Sequence, residues 1–376
     1  MNENPIVIFN EMRKSFLSYY NTQFGIKPQE ILNEINDLID SETNLWQYPI
    51  IENLKKYQNI GEVRQKNNID IFENESSKDK KLDKRFYEFL DKTLFSDLSG
   101  NSFPMYEHQA LSYEKAFTRG KNIILTTSTG SGKTEAMFLP IISNLLNESS
   151  KWAPANEKQN NKWFLEERLN AQIRESNLQR ANEKRPAAIR CLMMFPLNAL
   201  VEDQKTRMRK IFCEENGELL QSLIQNNRIY FGSYNSNTPI SGAKNSSRFS
   251  QLKNTLRQSY ERYQDTKEYC RENDEKDYLF YTENFSGGEM WSRFDMQISP
   301  PDILITNYSM MRVMLGRENE QEMLEKTREW LKEDGNKFTL VLDELHSYRG
   351  TSGAEVSYLI KRFLDRLGIL DKPEKL

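Results

Sequence analysis

The chain has 376 residues, of which 37% are hydrophobic and 28% charged, with 52 basic against 55 acidic side chains and a formal charge of -3. That balance excludes a polycation that grips nucleic acid by overall charge, so any such contact needs a local basic face. It also excludes a membrane-spanning chain: the densest apolar stretch, Cys191 to Val201, falls short of the ~20 residues a spanning helix needs, and Pro196 and Asn198 interrupt it.

The N-terminus (MNENPIVIFNEMRKS) has no basic segment followed by an apolar run, so no secretory signal is read there. Cys191, Cys213 and Cys270 stand far apart, and His108 and His346 are the only histidines. This pattern fits three reduced cysteines in a cytoplasmic protein, not a zinc site.

Residues 1–100 read as a mainly helical accessory section. Ile31, Ile35, Leu38 and Ile39 make one amphipathic stripe, and Phe86, Phe89, Leu90, Leu94 and Phe95 make a second. Between them, Asn74 to Arg85 has almost no apolar content and reads as a solvated linker. From residue 101 the texture changes to short apolar runs, each followed by turn residues and a helical pattern. The runs are Asn122–Thr127, Ala188–Phe195, Arg228–Tyr234, Asp302–Thr306 and Phe338–Asp343. Such alternation predicts an α/β domain over 101–376 with a mostly parallel sheet covered on both faces. Two polar stretches, near 147–185 and 241–297, interrupt it as insertions, each with too little apolar mass for a domain of its own.

The strongest chemical signal is Thr127-Ser-Thr-Gly-Ser-Gly-Lys-Thr134, after one predicted strand and before a helical pattern. In that context backbone N–H groups and a helix N-terminus surround phosphate oxygens. Thr127, Thr129, Gly130, Ser131 and Gly132 would form the loop, with the glycines allowing close approach. Lys133 would reach the terminal phosphates, and the Thr134 hydroxyl would ligate magnesium. The general phosphate-loop pattern has glycine where Thr127 stands. The second signal is Leu340-Val-Leu-Asp-Glu-Leu-His346, which sets two carboxylates at the C-terminal edge of a sheet, where ligands of open α/β sheets bind. Asp343 would hold magnesium and Glu344 would take the proton of an attacking water. Taken alone, a strand ending in Asp-Glu also fits helix capping.

Together these two segments resemble motifs I and II of superfamily 2 helicases and translocases of the DExH type, with a RecA-like P-loop lobe. Tyr106-Glu-His-Gln109 resembles the upstream glutamine motif, in which Gln109 would read adenine, although Gln109 also fits an ordinary helix surface. Phe195 to Gln204 resembles motif Ia, which lies along a nucleic-acid backbone. Thr306-Asn-Tyr-Ser-Met-Met311 and Ser347-Tyr-Arg-Gly-Thr-Ser-Gly353 resemble stretches of the Hrq/Mrf-type DNA helicases. Trp291 to Met296, before Pro300-Pro301, is similar to large bacterial defence-associated helicases of the Druantia type.

The resemblance implies ATP and Mg2+ as ligands, DNA as the nucleic acid, and His346 as the link between nucleotide and a second motor lobe. Asn198, Ser233, Thr306, Asn307 and Ser309 are its candidate strand contacts. Lys205 and Arg209, four apart on one helix face, are candidates as well; the charge run also fits a plain solvated surface. No Ser-Ala-Thr motif follows Asp343, and nothing in the sequence looks placed to act as an arginine finger. The expected reading is therefore the front portion of a motor that needs a second RecA-like lobe. The alternative is a nucleotide-binding scaffold that recruits partners without hydrolysis. Its weakness is that a dead scaffold has no need of Lys133, Asp343 and Glu344 together.

Overall fold

A computed structural model describes residues 4–24, 28–41, 56–75, 81–97, 100–128, 130–156, 162–166, 178–239, 246–273 and 275–376. The chain divides into two units, Met1–Lys56 and Tyr57–Leu376. The first contains α1 (Pro5–Phe24) and α2 (Gln29–Ile39), joined by an ion pair between Arg13 and Asp40. The Ile31 stripe does form a helix, but α2 buries none of it: Ile31 is 50% exposed and Leu38 59%.

The second unit is an α/β RecA-like lobe. It opens with α3 (Ile60–Arg64), α4 (Asn68–Glu75), α5 (Lys84–Leu94), α6 (Glu107–Ser112) and α7 (Lys133–Ser149). Four strands follow among further helices: β1 (Cys191–Phe195), β2 (Phe231–Tyr234), β3 (Ile303–Asn307) and β4 (Thr339–Leu342). After β1 come α8 (Asn198–Ile211) and α9 (Glu214–Leu223), and after β2 come α10 (Ser246–Asn273) and α11 (Arg293–Ile298). The lobe ends with α12 (Tyr308–Gly316), α13 (Gln321–Lys332) and α14 (Gly350–Arg366). All strand pairings are parallel in the order β2-β3-β1-β4, with Cys191 opposite both Ile303 and Thr339. Residues 57–100 share one apolar core with this sheet: Ile60, Phe72, Phe89 and Phe95 pack in the same cluster as Met193, Phe195 and Ile303.

Four of the five predicted runs are strands. The fifth is not: Asn122–Thr127 has no strand pairing, and Ile124 is 80% exposed. β4, at the edge of the sheet, and residues 122–127 line one cavity of about 810 Å3, together with Met137, Pro140 and Ile141 of α7. An apolar run is a property of the chain, whereas a strand needs a neighbouring backbone within hydrogen-bonding reach. Residues 122–127 have no such neighbour among the described residues.

The two insertions, each poor in apolar mass, build a small core jointly. Trp163 and Phe164 from the first pack with Leu252, Leu256 and Tyr263 of α10 and with Phe285 and Trp291. The first insertion also ends in a buried ion network at the base of the sheet. Asp302, fully buried before β3, accepts two hydrogen bonds from Arg185 at 2.7 Å each, one from Arg190 at 2.9 Å and one from the Tyr230 N–H at 2.8 Å. Arg190 also holds Glu148 at the end of α7, and Arg185 and Arg180 both pair with Glu183. Burial by itself would push the Asp302 carboxyl up; Arg185, Arg180 and Arg190 outweigh it and hold the group far below the usual carboxylate range. Among the described residues no helix is long and apolar enough to cross a membrane.

Asp295, at the start of α11, is buried without a cationic partner in contact. Among the described residues its carboxylate accepts the Ser292 hydroxyl at 2.9 Å and the Gln179 N–H at 3.3 Å, while its own N–H donates to Ser292 Oγ at 3.1 Å. Burial pushes its pKa from 3.8 up to about 6. Its protonated form is thus favoured in the folded state, so its contribution to stability is full below about pH 4 and is lost as pH rises through 6. The loss amounts to about 3 kcal/mol at most. Asp295→Asn, neutral and isosteric, should therefore gain on the natural chain in urea unfolding between pH 5 and pH 8. A difference that does not change with pH would refute this.

Candidate nucleotide site

The phosphate loop leaves residues 122–127 and enters α7. Thr129 lies outside the described residues. Gly130 and Gly132 have φ of +74° and +77°, the left-handed region that favours glycine. Gly132 is required twice over, because a Cβ there would collide with the Gln109 carboxamide. α7 then starts at Lys133 with Gly132 as its cap, so Lys133 and Thr134 sit in the first turn with its free N–H groups. Inside α7, Pro140 has no N–H to give to the Ala136 carbonyl, and the Ser112 hydroxyl donates to that carbonyl instead, at 2.5 Å. That bond ties α6 to the loop's helix.

α6 holds the loop from the other side. Gln109 is 3% exposed; its Oε1 accepts from the Tyr106 N–H at 2.7 Å, and its Nε2 donates to the Gly132 carbonyl at 3.0 Å. The side chain expected to read a base thus braces the loop backbone. Beside it, the His108 ring stacks on Tyr106 at 5.7 Å and hydrogen-bonds the backbone of Ser131; burial depresses its pKa. Tyr57, which sequence reasoning missed, packs edge-on against His108 at 5.3 Å. Its hydroxyl accepts the Ser128 N–H at 2.8 Å and lies 3.0 Å from the Ser128 Oγ. Backbone bonds from Ile60 N–H to Met105 and from Glu107 N–H to Gln58, both 3.0 Å, fix this segment beside α6. No local pattern marks Tyr57, since the contact spans 71 residues of chain.

The acidic end follows β4. The Asp343 N–H donates to the Met194 carbonyl at 3.1 Å, which carries the parallel ladder one residue past the strand. Glu344 has φ +48° and ψ +45°, left-handed for a residue with a Cβ. Glu344 lines the cleft, with His346 Nδ1 at 3.1 Å from its Oε2. Gln109, Gly130, Gly132, Lys133, Thr134, Asp343 and Glu344 line one cleft of about 680 Å3. Lys133 has no ion pair among the described residues. Three buried oxygens of this region, Thr127 Oγ1, Ser131 Oγ and Gln204 Oε1, have no hydrogen-bond partner among them either. A loop of free donors, an uncommitted ammonium, and hydroxyl and carboxylate oxygens opposite it fit a magnesium-bound polyphosphate: hard oxygen ligands for the metal, N–H groups and a cation for the phosphates.

Of the expected strand contacts, Asn198, Asn307 and Ser309 stand at the C-terminal edge of the sheet. Asn307 Nδ2 donates to Asn198 Oδ1 at 2.6 Å, and Asn307 Oδ1 caps α12 through the Met310 N–H. Ser233 and Thr306 are buried, and Thr306 Oγ1 donates to the Tyr234 carbonyl at 2.6 Å, which stitches β3 to β2. Lys205 and Arg209 require a correction. Arg209 is 5% exposed, with Nε and Nη2 each 2.7 Å from Glu289, and Lys205 reaches Glu202 at 3.1 Å and Glu289 at 3.6 Å. The second insertion brings Glu289 over this face of α8, so both cations are committed to a buried carboxylate and are withdrawn from any strand. The other face, with Leu200, Asp203, Gln204 and Arg207, turns to the nucleotide cleft. The spacing of those four was visible in the sequence; the direction they face was not.

Tyr57→Phe should loosen the loop while leaving the core in place. Loss of the acceptor for the Ser128 N–H should speed amide exchange at Ser128 about fivefold, with no change at 138–146 in α7. Unaltered exchange at Ser128 would mean that the phenol does not hold the loop.

Residues 106–234 match the DEAD/DEAH box helicase family. The Druantia protein DruE of Escherichia coli (strain UMEA 4076-1) is 29% identical to the chain over 303 residues, an alignment that covers 70% of this chain and 15% of that protein. The chain therefore spans only a small part of the length of that relative. No solved structure matches it. The segment 106–234, which spans the phosphate loop, β1 and β2, is therefore similar to DEAD/DEAH box helicases and lies within a RecA-like α/β lobe, and over most of its length the chain resembles a Druantia protein.

Proposed function

We propose that this chain is the ATP-hydrolysing front portion of a DNA helicase or translocase, acting in the cytoplasm in antiphage defence. The observation that carries the reading is the convergence of Lys133, the first turn of α7, Asp343 and Glu344 on a single cleft. Lys133 would neutralise charge on the terminal phosphates. Thr134 and Asp343 would hold magnesium, which when bound supplies further charge neutralisation on the phosphates. Glu344 would accept a proton from the water that attacks the γ-phosphorus as the bond to the bridging oxygen breaks. His346, 3.1 Å from the Glu344 carboxylate, would orient it. The placement of Glu344 in the same cleft as Lys133 and Asp343 supports catalysis over a passive scaffold, since only hydrolysis requires a carboxylate base there.

DNA enters this reading through the resemblance to the Hrq/Mrf-type DNA helicases alone. Asn198, Asn307 and Ser309, at the C-terminal edge of the sheet, are its remaining candidates for contact with a strand, and such contact should not depend on base sequence. A second RecA-like lobe, in this protein or a partner, would supply an arginine finger, worth about 10³–10⁵ in rate in related chemistry.

Lys133→Ala should weaken Mg-ATP binding about tenfold or more in calorimetry, because a charge-assisted contact is lost; equal affinity would reduce the loop to a turn. In steady-state phosphate release this chain alone should turn over marginally, even with DNA. With the second lobe present, turnover should rise, and Glu344→Gln should abolish it while ATP binding stays. Full turnover by the Gln variant would remove Glu344 from the role of base.

A further inference from the structure

One wall of the cleft is made by α8, whose Leu200, Asp203, Gln204 and Arg207 recur at three- and four-residue spacing on a single face. Arg207 is tethered by two carboxylates. Its Nη1 donates to Glu135 Oε1 at 2.9 Å and its Nε to Asp203 Oδ2 at 3.2 Å. Glu135 adjoins Thr134 in the first turn of α7, so the guanidinium is anchored at the phosphate end of the cleft. Phe103, Pro104 and Tyr106 contribute to the lining from the α6 side.

The tether is only partly shielded: the Arg207 side chain is 43% exposed, that of Asp203 54% and that of Glu135 25%, and water screens the more exposed pair most. Against such partners a terminal phosphate, with more negative charge and a geometry matched to the guanidinium fork, competes well. The same wall carries a second, independent sign of a ligand. Gln204 is 4% exposed, its Nε2 donates to Asp203 Oδ2 at 3.1 Å, and its Oε1 has no donor among the described residues. A buried acceptor left open in a cleft wall calls for a donor from whatever fills the cleft, such as bound water or a ligand hydroxyl.

We propose that Arg207 is a γ-phosphate ligand supplied by this lobe itself, held aside by Glu135 and Asp203 until a nucleoside triphosphate draws it across. Its function is to distinguish triphosphate from diphosphate. The inference rests on the cleft being a nucleotide site. It turns one cation of the basic run on α8 toward the nucleotide.

Calorimetric titration of the 376-residue chain with Mg-ATP and with Mg-ADP tests it, on the natural chain, Arg207→Ala, Arg207→Lys and Lys133→Ala. Arg207→Ala should weaken Mg-ATP binding about tenfold or more and Mg-ADP binding by less than about twofold, and Arg207→Lys should recover part of the loss. The ratio of the two affinities carries the test, because a partly misfolded variant loses both nucleotides alike. An unchanged ratio in Arg207→Ala overturns the inference. If the natural chain binds both nucleotides, Lys133→Ala loses them and the ratio in Arg207→Ala stays the same, the inference alone falls and the nucleotide site stands. If the natural chain binds neither nucleotide, the site reading falls and takes this inference with it.

Discussion

The Asp302 carboxylate is the constraint on which the rest of the lobe depends. It is fully buried, and three arginines from two stretches of chain close around it: Arg180 and Arg185 from the first insertion, and Arg190 from the entry to β1. With Glu148 and Glu183 the cluster balances three positive against three negative groups, and each carboxylate pairs with at least one arginine. Breaking such a cluster at one partner costs about 3–5 kcal/mol, because the remaining charges stay buried and uncompensated. Aromatic faces close it from outside, with the Arg185 guanidinium 3.7 Å from the centre of the Trp152 ring and that of Arg190 4.9 Å from Trp330.

The location of this cluster matters more than its strength. It joins the N-terminal ends of β1, β2 and β3 to the far end of α7 through Arg190, Tyr230, Asp302 and Glu148. Parallel strands registered at one end deliver their C-terminal ends to a common edge. α7, 17 residues and about 25 Å long, runs from that anchor to the phosphate loop at its other end. A buried electrostatic base therefore positions the loop and the Asp343-Glu344 pair on the same side of the sheet without touching either. At the loop itself the restraint is local and polar: Gln109 on Gly132, Ser112 on Ala136, and Tyr57 on Ser128.

α8 shows how one helix divides its charges. Lys205 and Arg209 face the second insertion, where Glu289 is buried and held below the usual carboxylate range: burial acts against this, and Arg209 and Lys205 outweigh it. Arg207, between them in sequence, faces the cleft and stays half-exposed. Rotation by two residues along a helix changes direction by roughly 200°, so neighbouring cations of one run meet opposite environments. A charge run read along the chain cannot separate them.

Local chemistry settled much of this protein in advance. Gly130, Gly132, Lys133 and Thr134 carry the pattern of a phosphate loop because that geometry needs those residue types in that order, and four apolar runs became strands of a parallel sheet, with β1, β2 and most of β3 buried and β4 half-buried at the edge. Asp343 and Glu344 were legible for the same reason, as the polar end of such a run. Contacts distant in sequence were not. Asn122–Thr127 has the composition of a strand and no strand partner among the described residues, although it lines one cavity with β4. Tyr57 meets Ser128 only once residues 57–60 have packed beside α6. Two polar insertions form a core together that neither forms alone, and in doing so one of them brings Glu289 to claim Lys205 and Arg209. Sequence by itself determined which residues could bind phosphate and which runs could enter a sheet, because backbone conformation and burial preference are local properties. Only the tertiary structure decided which cations remained available to the cleft, because that depends on which carboxylates the fold brings within reach.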